Sequence, residues 1–562
     1  MNNNLMRITH PRALLLCCLM ATGQLCLAEN IPNAGELLQQ QQQPILENKP
    51  TTSALPKASL PNALQGEQKV WVKAFRFQGN TLFSEQVLQQ EINALSHQEL
   101  SLTQLQYALD QINDFYAEQG YSYSFAFFPE QNLSSGIVTI QVVETLLSGI
   151  NLDNQTNTQP WLLSQILAPL QNKQYLSDQH LNLVASRLAL LPGISQEISL
   201  ARGTEPNTTQ VNVQLSSAQK LSTYIGADNV GGEYTGEVRG RAGLRLYQLA
   251  GLGDELSLDV MSSGSGLNYG QVGYNFFVNG YGTQVGASHS YLTYTLQKEL
   301  KAAGYEGIAA ESSVWLKQHL NTGENSQAAL GIVLTHKQLE DDVRTVQSEN
   351  HRRIQSAQLN LNYYGSDSLW GGGVNSLSTS LNFGHLDLKS ADVKEVDTLT
   401  RKTQGEYTTM LVNATRSQKI TDANQLFVSL TGFYSPDNLD SAEAFYVGGP
   451  SFMRGYKNST VSGSQAISAS VELSQSLWSS AENRVNGTVF FDAAKLKLNA
   501  STWQGFNSKN DISLSSAGVG VNWNNSLVGQ LQAQVGFPLS DQPIQLAERD
   551  DHQVWISWQK VF

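Results

Sequence analysis

The feature that most constrains this chain is an alternation of apolar and polar residues, with period 2, that begins near residue 218 and recurs to the C-terminal end. Leu256, Leu258 and Val260 alternate with Ser257 and Asp259, and Ala357, Leu359, Leu361 and Tyr363 with Ser356, Gln358, Asn360 and Asn362. Leu426, Val428 and Leu430 repeat the pattern. Ile467, Ala469, Val471 and Leu473 then stand against Ser468, Ser470, Glu472 and Ser474. Successive side chains of a strand point to opposite faces, so each run has one apolar and one polar face. A soluble sandwich of 346 residues would need several domain breaks, and none is visible. A closed sheet in a bilayer needs none, because it pairs its own backbone and turns its apolar face to lipid. At ~10 residues per tilted strand plus connections, the segment suits about 14 to 18 strands.

Composition agrees. Only 15% of the 562 residues are charged, against about 25% in a typical soluble protein. After residue 28 there is no run of 18 apolar residues, so no transmembrane helix is expected. Leu, Val, Ile and aromatics are too plentiful for a long disordered chain. With 48 acidic and 35 basic residues the net charge is -13, which argues against nucleic acid as a partner.

The N-terminal segment reads as a targeting signal. Arg7, His10 and Arg12 precede an apolar stretch from Ala13 to Met20, and Cys26-Leu27-Ala28 supplies a cleavage site, giving a signal peptide over 1–28. All three cysteines (Cys17, Cys18, Cys26) lie within it, so the mature chain holds no disulfide, thiolate metal site or thiol nucleophile. Residues 29–43 can form a short helix that ends in five glutamines. Residues 44–68 carry Pro44, Pro50, Pro56 and Pro61 and read as an extended linker. The residues alone leave open whether this is a mobile helix on a tether or a disordered tail.

Two modules follow. Residues 69–145 read strand (VWVKAFRF), helix from an N-cap at Ser84, helix through Leu102, Leu105, Leu109, Ile112 and Tyr116, then strands SYSFAFFPE and GIVTIQVVE. Residues 146–216 repeat the plan, with helices at Trp161–Leu167 and from Ser177 through Leu188. The repeat is one of architecture rather than of letters. Each module is a small α+β domain whose sheet edge can accept an extended peptide by strand addition, the alternative being two structural spacers.

Several motifs carry a resemblance. Asp228-Asn229-Val230-Gly231, Thr235-Gly236 and Gly251-Leu252-Gly253-Asp254 open the barrel segment; Val447-Gly448-Gly449-Pro450-Ser451-Phe452-Met453-Arg454-Gly455-Tyr456 and Phe490-x-Asp492-x-Ala494 lie further on. With the two modules, they resemble the TpsB family of two-partner secretion transporters, relatives of the outer-membrane insertases. The resemblance covers nearly the whole mature chain. It implies a transmembrane β-barrel of 16 antiparallel strands (217–562), preceded by two periplasmic α+β POTRA domains and an N-terminal plug helix. It also implies that Met453, Arg454, Gly455 and Tyr456 sit at the tip of a long loop folded into the lumen, with Phe490, Asp492 and Ala494 as partner motif on the barrel wall. Met453 replaces the usual Val, and Ala494 stands where Gly is common.

The residues support that picture. Asp492 shares parity with Thr488 and Phe490, so if Val489 and Phe491 face lipid, Asp492 points inward. An Arg454–Asp492 fork would then pin the loop, with Tyr456 and Phe490 packed around it. The chain ends Val554-Trp555-Ile556-Ser557-Trp558 and then Phe562, a terminal aromatic of the kind barrel assembly machinery is expected to read. Lys560 stands where such signals often have an apolar residue; its stem can snorkel.

No catalytic or metal constellation is visible. The nine histidines show no ligand spacing, Ser195 lies in GISQE rather than a nucleophile elbow, and no nucleotide fingerprint occurs. No cofactor is expected. The reading is a non-enzymatic pore in the bacterial outer membrane that secretes a large exoprotein (TpsA), bound through its N-terminal secretion domain. The resemblance suggests a monomer surrounded by outer-membrane lipid. The cargo stays open among haemolysin, adhesin, haem-scavenging protein and contact-dependent inhibition toxin. The rival readings are an insertase, which only two modules argue against, a passive porin, which leaves the modules unexplained, and an outer-membrane enzyme.

Overall fold

The computed structural model describes residues 31–41, 68–323, 325–540 and 550–562. The targeting signal and almost all of the proline-rich linker lie outside the described residues. The first element among the described residues is helix α1 (Ala34–Gln41). Its start is capped by Asn33, whose side-chain oxygen accepts from the Gly35 and Glu36 amides at 3.1 Å each. That satisfies two of the donors a helix N-terminus leaves without intrahelical partners.

The first module comprises β1 (Lys69–Val72), β2 (Ala74–Gln78), α2 (Glu85–Ile92), β3 (Gln98–Ser101), α3 (Leu102–Glu118), β4 (Phe125–Phe127) and β5 (Ile137–Val143). Ser84 caps α2 and a Ser101–Gln104 capping box starts α3. The segment expected as one strand, VWVKAFRF, is two. The Lys73 and Ala74 amides both reach the Gly136 carbonyl, and the bend sends β1 to pair with β3 and β2 to run parallel to β5. The strand expected over SYSFAFFPE is only β4. Its start is drawn into a turn, with the Ser124 amide on the Tyr121 carbonyl and the Ser122 hydroxyl on Asp178 at 2.6 Å.

The second module repeats the central plan: β6 (Leu146–Asn154), α4 (Pro160–Leu167), α5 (Asp178–Ala189), β7 (Ile194–Arg202) and β8 (Thr208–Ser217). Both sheets hold one parallel and one antiparallel neighbour around a central strand, β5 in the first and β8 in the second. The modules meet without a free linker. Glu144 accepts from the Thr81 and Leu82 amides (2.8 and 2.9 Å) and the buried Tyr116 hydroxyl (2.8 Å), and the Leu176 amide reaches the Thr145 carbonyl.

Sixteen antiparallel strands close the barrel. They are β9 (Leu221–Asp228), β10 (Arg239–Tyr247), β11 (Glu255–Ser262), β12 (Leu267–Phe277), β13 (Thr283–Thr295), β14 (Tyr305–Gly323), β15 (Ser326–Val343) and β16 (Ser348–Asp367). Then follow β17 (Gly373–Leu388), β18 (Gly405–Lys419) and β19 (Asn424–Tyr434). Between β19 and the next barrel strand, β20 (Phe445–Val447) and β21 (Val461–Gly463) form a hairpin of their own. The last five are β22 (Gln465–Ser479), β23 (Asn483–Lys497), β24 (Asp511–Asn525), β25 (Gly529–Pro538) and β26 (Gln553–Val561). The seam is short: β26 pairs with β9 only from Ser557–Asp228 to Val561–Tyr224. Asn229 extends it, accepting from the Ile556 amide and donating to the Val554 carbonyl at 2.7 Å each.

The alternation resolves into an apolar outer face. Val489 (52% exposed), Phe491 (47%), Val471 and Ile467 look outward, whereas Asp492 is 1% exposed. A lipid-facing band explains why so many large apolar side chains are open. The second module sits at the rim where the chain enters β9. The Gln159 amide donates to the Gly251 carbonyl at 2.8 Å, and the Gly280 amide to Gln165 at 2.9 Å. Gly251 has φ +71°, and a Cβ there would lie 2.1 Å from the Asn157 carbonyl oxygen, so the GLGD turn is the seat of the module.

Candidate functional site

The connection between β19 and β22 folds into the lumen. Its base is tied by the Ser435 amide to the Ser464 carbonyl. Its tip turns at Gly448 and Gly449 (φ +126° and +85°), a region side chains rarely adopt. The Gly449 amide donates to the Tyr456 carbonyl, and the Met453 amide returns to Gly449, so the tip is a tight self-bonded turn.

Arg454 is 6% exposed and faces the wall. Its Nη2 and Nε donate to the two Asp492 carboxylate oxygens at 2.7 and 3.0 Å, and its backbone amide donates to Asp492 at 3.1 Å. Nη1 reaches Glu472 at 2.6 Å and Nη2 the Ser470 hydroxyl at 2.9 Å. The guanidinium lies 3.4 Å from the centre of the Phe490 ring. Two carboxylates, a hydroxyl and an aromatic face therefore surround one cation, the dense partnering a buried charge requires. Ser470 is the cross-strand neighbour of Asp492, and Glu472 that of Phe490, so the β22–β23 register builds the socket.

The remaining motif residues lock the tip in place. Met453 is fully buried and clusters with Tyr456, Ala494, Leu496, Ile512 and Leu514. Tyr456 therefore packs beside the fork rather than on it, and its hydroxyl donates to the Ser515 carbonyl at 3.3 Å. Gly455 has no room for a side chain: a Cβ would stand 2.7 Å from the Ser516 Cβ. The Trp555 indole donates to the Arg454 carbonyl at 2.8 Å, and Phe562 exchanges backbone hydrogen bonds with Thr223 across the seam.

The sequence reading named Met453, Arg454, Gly455, Tyr456, Phe490, Asp492 and Ala494, and the structure brings all seven together. Phe562 lies apart at the seam. Glu472, Ser470, Ser516 and Trp555 were missed. Only lumenal parity could have pointed to them, because their contacts depend on strand register. Among the described residues no group of side chains could hold a metal ion.

A closed barrel of sixteen strands, seated on α+β modules and holding a pinned loop and a helix in its lumen, defines an outer-membrane transporter of the POTRA-barrel class. Comparison with known proteins gives the particular family. The profile of the haemolysin secretion/activation protein ShlB/FhaC/HecB matches residues 207–523, and that of the POTRA domain, ShlB-type, residues 70–145. The chain belongs to the ShlB/FhaC/HecB family and is a two-partner secretion transporter of the outer membrane. It is similar to the heme/hemopexin transporter protein HuxB of Haemophilus influenzae, 24% identical over 83% of this chain and 82% of that one. It is 23% identical to the outer membrane transporter CdiB of Dickeya dadantii over 85% and 84% of the two chains. The solved structure of CdiB from Escherichia coli superposes with a TM-score of 0.68 at 22% identity, covering 91% and 94% of the two chains.

Proposed function

We propose that this chain captures a large unfolded exoprotein in the periplasm through its N-terminal secretion domain and threads it through the barrel to the cell surface. The second module is read as another POTRA domain, and the module sheet edges with the barrel entrance as the capture surface. Helix α1 is the plug that leaves before transport, and the Arg454–Asp492 fork holds the lumenal loop during passage. The work is translocation without bond chemistry, by a monomer in outer-membrane lipid whose Phe562 is read by the barrel assembly machinery. The observation that carries the reading is a lumen occupied by two parts: a helix from outside the barrel segment, packed on apolar side chains and tied by a few polar contacts, and a loop between two wall strands whose tip is pinned by Arg454.

The test compares surface and released proteins from cells with and without this gene. One very large protein should vanish and return with the wild-type gene, but not with Arg454→Ala. A general fall of many barrel proteins would favour the insertase. Loss of small-solute uptake alone would favour a passive porin.

A further inference from the structure

We propose that Arg352 is a positioning residue that fastens the ascending limb of the lumenal loop and helix α1 to the barrel wall as one unit, so that the plug is released together with a shift of that limb. The inference rests on α1 being the plug.

This anchor lies on β15 and β16, away from the Arg454 fork on β22 and β23. Arg352 is 5% exposed. Its Nη1 donates to both carboxylate oxygens of Asp440 at 2.8 Å and to the Ser441 hydroxyl at 3.0 Å, all on the loop. Its Nη2 donates to Asp341 on the facing strand β15. Asp341 in turn accepts the Ala34 amide at 2.7 Å, at the first turn of α1, where a carboxylate is favoured by the free amides and the helix dipole. Ser441 donates at 2.8 Å to Asn33, the cap of the same helix. One guanidinium thus joins wall to loop directly, and two of its partners, Asp341 and Ser441, go on to hold the helix.

The helix then runs against the limb it shares this anchor with. The Gln39 side-chain amide donates through Nε2 to the Ala442 carbonyl at 2.6 Å, and a Cβ on Gly35 would stand 2.6 Å from the Ala442 Cβ. The next residue of the limb, Glu443, is held by Lys337 on β15 at 2.9 Å, with Glu311 on β14 at 3.6 Å from the same ammonium. Without Arg352, the carboxylates of Asp341 and Asp440 would face one another without a cation between them, which drives the limb off the wall and takes the helix cap with it.

The test measures ion current through the purified full chain in planar lipid bilayers, with heat-modifiable gel migration as the check that each barrel is folded. Arg352→Met should raise the time-averaged current by about tenfold, and Arg352→Lys, which keeps the charge, by no more than about twofold. Asp440→Asn, which lies in the loop and leaves the wall intact, should act in the same direction as Arg352→Met. In a chain lacking residues 34–41, which should conduct freely, Arg352→Met should add nothing. If the deletion opens the pore but folded Arg352→Met and Asp440→Asn conduct like wild type, or if Arg352→Met raises current equally without the helix, the anchor is overturned. If the deletion leaves the current unchanged, the plug reading fails and the anchor with it.

Discussion

Arg454 gathers more polar partners than any exposed arginine needs, and that is the expected price of keeping it inside a lumen. The charge is compensated by Asp492 and Glu472 within hydrogen-bond distance, so the pair cannot be judged from the fork alone. Arg454→Ala leaves Asp492 buried and uncompensated, at a cost of about 3–5 kcal/mol, whereas Asp492→Ala leaves the guanidinium on Glu472 and costs less. Arg454→Ala and Asp492→Ala should each free the loop tip, read as faster protease cleavage between 448 and 460 in a folded barrel. The double variant should be no worse than the more damaging single, because both remove one shared interaction. Arg454→Lys should not rescue, since an ammonium cannot fork onto a carboxylate and lie flat on Phe490 together. Much of this was legible: parity put Thr488, Phe490 and Asp492 on the face opposite Val489 and Phe491, inward if those two meet lipid, as they do, and the resemblance supplied Arg454 as the partner. Glu472 was not, although it stands in the clearest alternating run. Its approach to Arg454 depends on the β22–β23 register and on a loop that returns from outside, and neither is written in local spacing.

Helix α1 is short, eight residues, and an isolated helix of that length is unstable in water. Its order comes from the lumen: Ala34, Leu37 and Leu38 are at most 1% exposed and pack in the cluster that includes Leu292, Leu339 and Ile354. The same burial captures Glu36. This group belongs to the lumenal helix rather than to a spanning strand, and burial pushes its carboxyl up to about 8, opposed by a hydrogen bond from Gln40. The docked helix therefore favours the protonated acid more than the free helix does. That contribution is complete below the ordinary carboxylate pKa and is lost as pH rises through about 8. We predict that plug docking weakens steadily from about pH 4.5 to 8, seen as increasing bilayer current, and that Glu36→Gln flattens the dependence. A slope of the opposite sign would contradict the burial of a protonated Glu36. At this scale the sequence was read well for α3, where Leu105, Leu109, Ile112 and Tyr116 are all buried. It was read less well for VWVKAFRF, where the buried positions change parity from Val72 to Phe75 and Phe77 across a bend imposed by Gly136 from across the module.

Taken as a whole, the molecule is a wall with lipid on one side and water with protein on the other, which is why period-2 alternation, unbroken by domain boundaries over 346 residues, pointed to a closed sheet. The strand number did not follow from alternation, because connections of unequal length blur the count. It came from the resemblance, and the barrel has sixteen. Closure itself is a long-range fact: Ser557 meets Asp228, and Asn229 reaches Val554, more than 300 positions away in the chain. The same holds for the inner assembly, where α1 near the start of the chain meets Ala442 and Asp341 far along it. The central claim, that the helix must leave the lumen before an exoprotein can pass, is tested most directly by locking it in place. The only cysteines of the chain lie at 17, 18 and 26, so Asn33→Cys with Ser441→Cys introduces one new pair where the helix cap and the loop meet through their side chains at 2.8 Å. Exoprotein released by cells carrying this variant is measured under oxidising conditions and after adding a membrane-permeant reductant. The account predicts that release stops when the pair is oxidised and resumes on reduction. Undiminished release with the disulfide formed would contradict it.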